Sequence, residues 1–288
     1  MSKFLLLLSK VHIHPLLWIV MAIAIFTGYF TELWMVLFIV VIHELGHSFA
    51  AQYFSWRVRK ISFLPFGGVA EMDEHGNRPL KEEFIVILAG PLQHVWMAIA
   101  ALLLERFGFF PGIQYDVFLQ YNWMILLFNL LPIWPLDGGK LLMLVLCRNH
   151  TFLHALKWSI LSSLILLSSI SLLTILISPT HLHLWFVMLY LYVSLWKEWK
   201  QRHFVFMRFL LERYYGKKSA VVQLVPLHVS VDSTLPVILE QFQRGVKHPI
   251  IVFQNGEEKG QLDENEVLHA FFTEKQTTAK INDLLYLY

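Results

Sequence analysis

The stretch from Leu33 to Phe54 runs LWMVLFIVVIHELGHSFAAQYF, and its first part, Leu33 to Ile42, carries no charge at all. As a helix it is long enough to cross the ~30 Å hydrocarbon core of a bilayer. Within it stand His43, Glu44 and His47. On a helix the two histidines lie on one face, about 6 Å apart along the axis. Imidazoles stacked in this way can share one zinc ion at about 2.0–2.1 Å from each nitrogen. Glu44, next to the first histidine, can reach a water at the metal without ligating the metal itself.

The H-E-x-x-H pattern also arises by chance, so its surroundings carry the weight. A carboxylate and two imidazoles at membrane depth cost a few kcal/mol each on insertion scales, and groups kept there line a polar site. A metal centre is the reading that gives all three a reason to be present. In that arrangement the glutamate acts as general base for peptide hydrolysis.

Composition agrees with a membrane setting. The chain has 288 residues, of which 56% are hydrophobic and 15% charged. Its mean hydropathy is +0.54, too apolar for an ordinary soluble domain of this size. The net charge of +2 gives no ground for a direct nucleic-acid partner. The lone Cys147 excludes an internal disulfide framework and reads as a packing residue. The first apolar stretch lacks a small-residue cleavage site, so no cleavable signal peptide is expected.

Working outward, Met1 to His14, with Lys3 and Lys10 around a leucine run, reads as a segment lying on the membrane surface. Pro15 to Phe30 reads as a first span, Thr31-Glu32 as a tight turn, and Leu33 to Phe54 as the second span. Between Arg57 and Pro79 the residues Val58, Ile61, Phe63 and Val69 favour strand, punctuated by Pro65-Phe66-Gly67-Gly68. This reads as a short hairpin or re-entrant loop beside the site. Gly67 and Gly68 either make a simple turn or let backbone approach a substrate, and an exposed strand edge there could hold an extended peptide. Asp73 to Arg78 is a polar, water-facing segment. Phe84 to Phe107 is the third span, kinked at Gly90-Pro91, with Gln93 and His94 one turn further facing a polar cavity or bonding between helices. Gly108 to Gln120 is read as a turn.

The second informative stretch lies in the fourth span, Val117 to Cys147: NLLPIWPLDGGK, Asn129 to Lys140. Its prolines and glycines break the helix, which is tolerated at membrane depth where backbone is buried in protein or lines a cavity. Asp137 is an acid in an otherwise uncharged run and the natural third metal ligand; it can equally cap the helix that follows, and the two roles are compatible. Asn129, Pro132 and Pro135 would shape the wall of the site, Asn129 bonding substrate backbone. Trp158 to Ile177 and His183 to Trp196 complete six spans, the serines of the former serving helix packing.

Six spans put both termini on one side. Lys and Arg cluster on that side, from Lys3 and Lys10 through Arg57, Arg59 and Lys60 to Lys197 and Lys200, which the positive-inside rule makes cytoplasmic. Residues 1–196 thus form a transmembrane domain. Residues 197–218, with seven basic side chains, form a juxtamembrane linker suited to anionic lipid. Residues 219–288 change character, with nine acids against five basic residues and alternating polarity. There Asp232-Ser233-Thr234 caps a helix from Leu235 to Arg244, His248 to Phe253 and Glu258 to Leu262 are strands around an Asn255-Gly256 turn, and Glu264 to Phe272 is a helix.

His43-Glu44-Leu45-Gly46-His47, together with Asn129-Leu130-Leu131-Pro132 running into Leu136-Asp137-Gly138, resembles the site-2 protease family of intramembrane zinc metalloproteases. The C-terminal order resembles a cystathionine-β-synthase (CBS) type domain. The resemblance implies an α-helical polytopic membrane protein with a small C-terminal α/β domain. It implies that His43, His47 and Asp137 bind one zinc ion and that Glu44 activates water. It further implies a sporulation protease of endospore-forming bacteria. The substrate would be an inactive sigma-factor precursor, cut near its N-terminus at the mother-cell membrane around the forespore. Inhibitory membrane proteins would be partners, and an adenine nucleotide such as ATP would bind the C-terminal domain; the oligomeric state stays open. The rival reading is a metal-binding membrane protein or transporter without proteolysis, which has no need of Glu44.

Overall fold

The computed structural model describes residues 11–64, 67–72, 78–110, 112–177, 179–216 and 223–285. The leucine run flanked by Lys3 and Lys10, Pro65-Phe66, the acids after Met72 and the last basic residues of the linker lie outside the described residues. The chain divides into two compact units. One comprises Met1–Glu74, Lys81–Leu141 and Pro179–Leu189; the other comprises His75–Leu80, Leu142–Ser178 and Tyr190–Tyr288.

The first unit opens with strand β1 (Val11–Ile13) and helix α1 (Pro15–Thr27). Val11 to Ile13, expected to lie flat on the membrane, instead pairs in parallel with a strand some fifty residues later in the chain. The turn expected at Thr31-Glu32 falls earlier, because Gly28 takes the left-handed conformation (φ +81°) and α2 (Phe30–Tyr53) starts directly after it. Strands β2 (Val58–Leu64) and β3 (Gly67–Met72) form an antiparallel hairpin. The sheet order is β1-β2-β3, so β3 is an edge strand among the described residues.

Helices α3 (Leu80–Arg106) and α4 (Gly112–Asn129) follow. The segment from Gly112, expected to be a turn up to Gln120, is already helical, since it contains no breaker after Gly112. The chain then leaves the helix between Leu130 and Leu136 and resumes as α5 (Asp137–Asn149). The break is packed tightly: a Cβ on Gly138 would strike the carbonyls of Leu130 and Leu131.

Two apolar clusters bracket one polar layer in this unit. Leu17, Ala51, Trp56, Val58 and Val86 form one; Ile39, Met97, Ala101 and Phe118 form the other. On α2 the buried face runs Ile39, His43, His47, Ala51, a four-residue stride, so the histidines sit midway between the two clusters.

The second unit contains α6 (Phe152–Ile177) and most of α7 (Leu182–Tyr215). α7 runs unbroken through residues 197–215, read from sequence as a linker, because nothing from Leu182 to Tyr215 is Gly or Pro. Serines of α6 do serve packing: the Tyr192 hydroxyl lies 3.2 Å from Ser168 Oγ and from Ser171 Oγ. Beyond α7 comes a small mixed sheet of β4 (Leu227–Ser230), β5 (Ile250–Gln254) and β6 (Glu257–Leu262). β4 pairs with β5 in parallel, and β5 with β6 antiparallel. Helix α8 (Leu235–Leu239) is shorter than expected: the chain turns after Leu239, where the Phe242 amide donates to the Leu239 carbonyl, and buries Phe242 completely. α9 (Glu264–Phe272) carries a full capping box from Asp263 and Glu266, and α10 (Ile281–Leu285) closes the unit.

The protein is a multi-pass membrane protein. Among the described residues α2, α3 and α6 are each long and apolar enough to cross a bilayer.

Candidate metal centre and active site

Helix α2 presents His43 and His47 to the same side, with ring centroids 4.7 Å apart and ring planes nearly perpendicular. Asp137, the first residue of α5 after the packed break, comes to meet them. Its Oδ2 lies 3.1 Å from His43 Nε2 and 2.9 Å from His47 Nε2, and the two Nε2 atoms are 3.1 Å apart. All three side chains are buried. Among the described residues they are the one His, Cys and acid group that could hold a metal ion.

The donor set fits zinc. Three ligand atoms on a tetrahedron of ~2.05 Å bonds stand about 3.3 Å apart, close to the triangle observed here. Two imidazoles and one carboxylate leave a fourth position for water or substrate, the pattern of catalytic zinc sites. Each ligand is oriented by something behind it. His47 Nδ1 donates to the Val86 carbonyl at 2.8 Å, which leaves its Nε2 lone pair facing Asp137. Lys140 Nζ, one turn along α5, donates to Asp137 Oδ1 at 3.0 Å and leaves Oδ2 for the histidines. His43 Nδ1 lies 3.0 Å from His94 Nε2 on α3, and His94 Nδ1 lies 2.9 Å from Asn122 Oδ1 on α4.

Backbone without side chains fits against both the ligands and the acid. A Cβ on Gly90 would overlap the His47 ring and come 2.9 Å from His43 Cε1. A Cβ on Gly68, at the start of β3, would overlap Glu44 and come 2.8 Å from its Oε1. Glu44, itself buried, therefore lies directly against the edge strand.

The structure thus gathers His43, Glu44, His47, Asp137 and Gly68 at one place. Gly67 is adjacent, pairing with Leu64 across the hairpin. Asn129 ends α4, its Nδ2 donating to the Ile125 carbonyl of its own helix at 3.0 Å. Pro132 is exposed and Pro135 half-buried in the break that leads to Asp137. Sequence reasoning did not assign Asn122 or Lys140 to the site and left His94 between two roles. The available signal was a polar residue, Asn122, directly before the apolar run Trp123 to Phe128.

Comparison with known proteins agrees with this geometry. Residues 31–113 match Peptidase family M50. Over all 288 residues, the full length of both chains, the protein is 46% identical to stage IV sporulation protein FB of Bacillus subtilis. It is 33% identical over 156 residues to a zinc metalloprotease of Methanocaldococcus jannaschii, covering 51% of this chain and 45% of that one. The solved site-2 protease of Methanocaldococcus jannaschii superposes with a TM-score of 0.53 at 27% identity, covering 65% of this chain and 89% of the other. The chain belongs to the site-2 proteases of peptidase family M50, the intramembrane zinc metalloproteases.

Proposed function

We propose that this protease cleaves a membrane-associated sigma-factor precursor near its N-terminus during sporulation, with His43, His47 and Asp137 as zinc ligands and Glu44 as general base. The observation that carries the substrate class is the full-length 46% identity to stage IV sporulation protein FB.

A zinc ion at this site supplies a Lewis acid that polarises a carbonyl and brings water's pKa toward 7. Glu44 takes the proton from the attacking water and returns it to the leaving amine. It is one residue from a ligand on the same helix and pressed against Gly68, so its carboxylate stands beside the ligand triangle on the β3 side. A helical peptide bond is hidden by its own side chains, so the substrate must be extended to be cut. The edge of β3, unpaired by any other strand among the described residues, offers backbone partners for such a strand, and Gly67 and Gly68 keep side chains out of the way. Asn129, Pro132 and Pro135 line the approach on the Asp137 side.

The topology that accompanies this reading has six crossings, formed by α1, α2, α3, the α4–α5 pair, α6 and the first half of α7. Both termini are cytoplasmic, in keeping with the distribution of Lys and Arg. Residues 1–196 carry the protease, 197–218 contact anionic lipid, and 219–288 act as a CBS-like regulatory domain that binds ATP. Inhibitory membrane proteins of the mother-cell membrane regulate it.

The test is coexpression of a sigma-factor precursor with wild type or Glu44→Gln. A shortened product is expected with wild type alone, with equal zinc in both purified proteins and a rate loss of at least ~10²-fold in the variant. Cleavage by Glu44→Gln would remove the glutamate from its role. Loss of zinc in that variant would turn Glu44 into a ligand.

A further inference from the structure

We infer that Asn122 and His94 are positioning residues that fix which nitrogen of His43 is free to ligate metal. This rests on the zinc-site reading above and adds to it the device that prepares one ligand. Asn122 Nδ2 lies 3.0 Å from the His94 carbonyl, an atom that can only accept. That end of the amide is therefore the NH2, and the end facing His94 Nδ1 at 2.9 Å is the carbonyl oxygen. A carbonyl oxygen only accepts, so His94 Nδ1 carries the ring proton. The other nitrogen of that neutral ring, Nε2, is then a lone pair. It lies 3.0 Å from His43 Nδ1, so His43 Nδ1 must donate. The His43 proton is thereby held on the far side of the ring, and Nε2 faces Asp137 Oδ2 and His47 Nε2 as a bare donor atom.

The relay joins three helices, α4 to α3 to α2, and both Asn122 and His94 are completely buried. Water has no access to substitute for either partner. The two histidine ligands are prepared by different means. His47 uses a backbone carbonyl of α3, which no side-chain substitution can remove, whereas His43 depends on two side chains. Without an acceptor at position 94, the His43 proton is no longer held on Nδ1. The tautomer with hydrogen on Nε2 cannot ligate through that atom, the one that faces Asp137 and His47.

The experiment uses the full chain purified in detergent and measures zinc affinity by competition with a chromogenic chelator, with size exclusion as the folding check. His94→Gln keeps a strong acceptor near the place of Nε2; His94→Met has similar length and only the weak acceptor of a thioether sulfur. Asn122→Asp keeps the acceptor for His94 Nδ1; Asn122→Leu fills similar space without one. The Met and Leu variants are expected to bind zinc about 10–100-fold more weakly, and Gln and Asp to stay within about threefold of wild type. A packing role predicts the opposite order at position 122, where Leu is the benign change and a buried Asp the harmful one. Met and Leu variants that bind zinc as tightly as wild type overturn the relay, as does a Gln variant that loses as much as Met. Should Asn122→Leu fail to fold, the pair at position 94 decides alone. A wild type that takes up no zinc overturns the metal-site reading itself, whereas indifferent variants of a zinc-binding wild type overturn only the relay.

Discussion

Gly90→Ala adds one methyl group beside two metal ligands, and the structure sets the size of the effect. The new carbon would stand 2.9 Å from His43 Cε1 and closer still to Nε2 and Cε1 of His47. Ordinary contact begins at 3.4 Å. The His43 ring must then retreat by about half an ångström and the His47 ring by roughly one, in a layer where catalytic geometry tolerates about 0.5 Å. Neither ring has room to do so freely, because His47 Nδ1 is tied to Val86 and His43 Nδ1 to His94. A misplacement of ~1 Å costs about 10²-fold in rate, equivalent to about 2.7 kcal/mol. The assay is cleavage of the precursor by purified variants, with zinc measured on the same preparations. Gly112→Ala is the control, since no atom lies within 4 Å of its added carbon. Cleavage by Gly90→Ala within about threefold of the control, at full zinc, would refute the claim that the ligand rings are held by contact with α3.

Other substitutions separate the parts. Gly68→Ala pushes on Glu44 but not on the ligands, so cleavage should fall by about 10–100-fold with zinc retained; a variant that loses zinc instead would place Gly68 in the metal layer. Arg213→Met should destabilise the C-terminal unit by about 3–5 kcal/mol, seen as faster proteolysis of that region in the full chain. The reason is that Arg213 pairs with buried Glu264, donates to the Gln243 carbonyl at 2.7 Å and lies over the Phe242 ring. Resistance equal to wild type would remove the pair from the stability of the unit. Burial holds His248 below the ordinary histidine value of 6.5. Its Nε2 accepts from the Gln243 amide and its Nδ1 donates to the Val225 carbonyl, so the folded state holds the ring neutral. The unfolded chain takes up a proton first as pH falls, so stability from this ring is complete above about pH 6.5 and declines below it. Melting of the C-terminal unit should drop as pH falls below about 6.5, and less so in His248→Gln; parallel curves would exclude the ring as the cause.

What could be read from sequence follows physical range. His43, Glu44 and His47 share one turn of helix, so their spacing declares a common face. Asp137 declares itself as an acid where acids are costly. The Asp263 and Glu266 capping box is local, and α9 begins directly after Asp263. The pairing of β1 with β2 is not local; three residues match a partner far along the chain, and nothing in Val11 to Ile13 distinguishes strand from a surface segment. Asn122 and His94 are separated by 28 positions, and each alone looks like a polar residue bonding between helices. The end of α8 is set by the burial of Phe242 rather than by a breaker at Leu239. The continuity of α7 was legible in its lack of Gly and Pro, yet the change from apolar to basic composition at Lys197 reads as a boundary.

The glycines that open β3 bear on what a cleavage sequence would look like. A polypeptide laid along that edge turns successive side chains to opposite faces, so recognition proceeds in steps of two. If a substrate is held there as proposed, it meets bare backbone opposite Gly67 and Gly68, which leaves room for large side chains. Aligned cleavage sites should then show no fixed residue but a size rhythm of period two, permissive where the guest lies opposite the glycines.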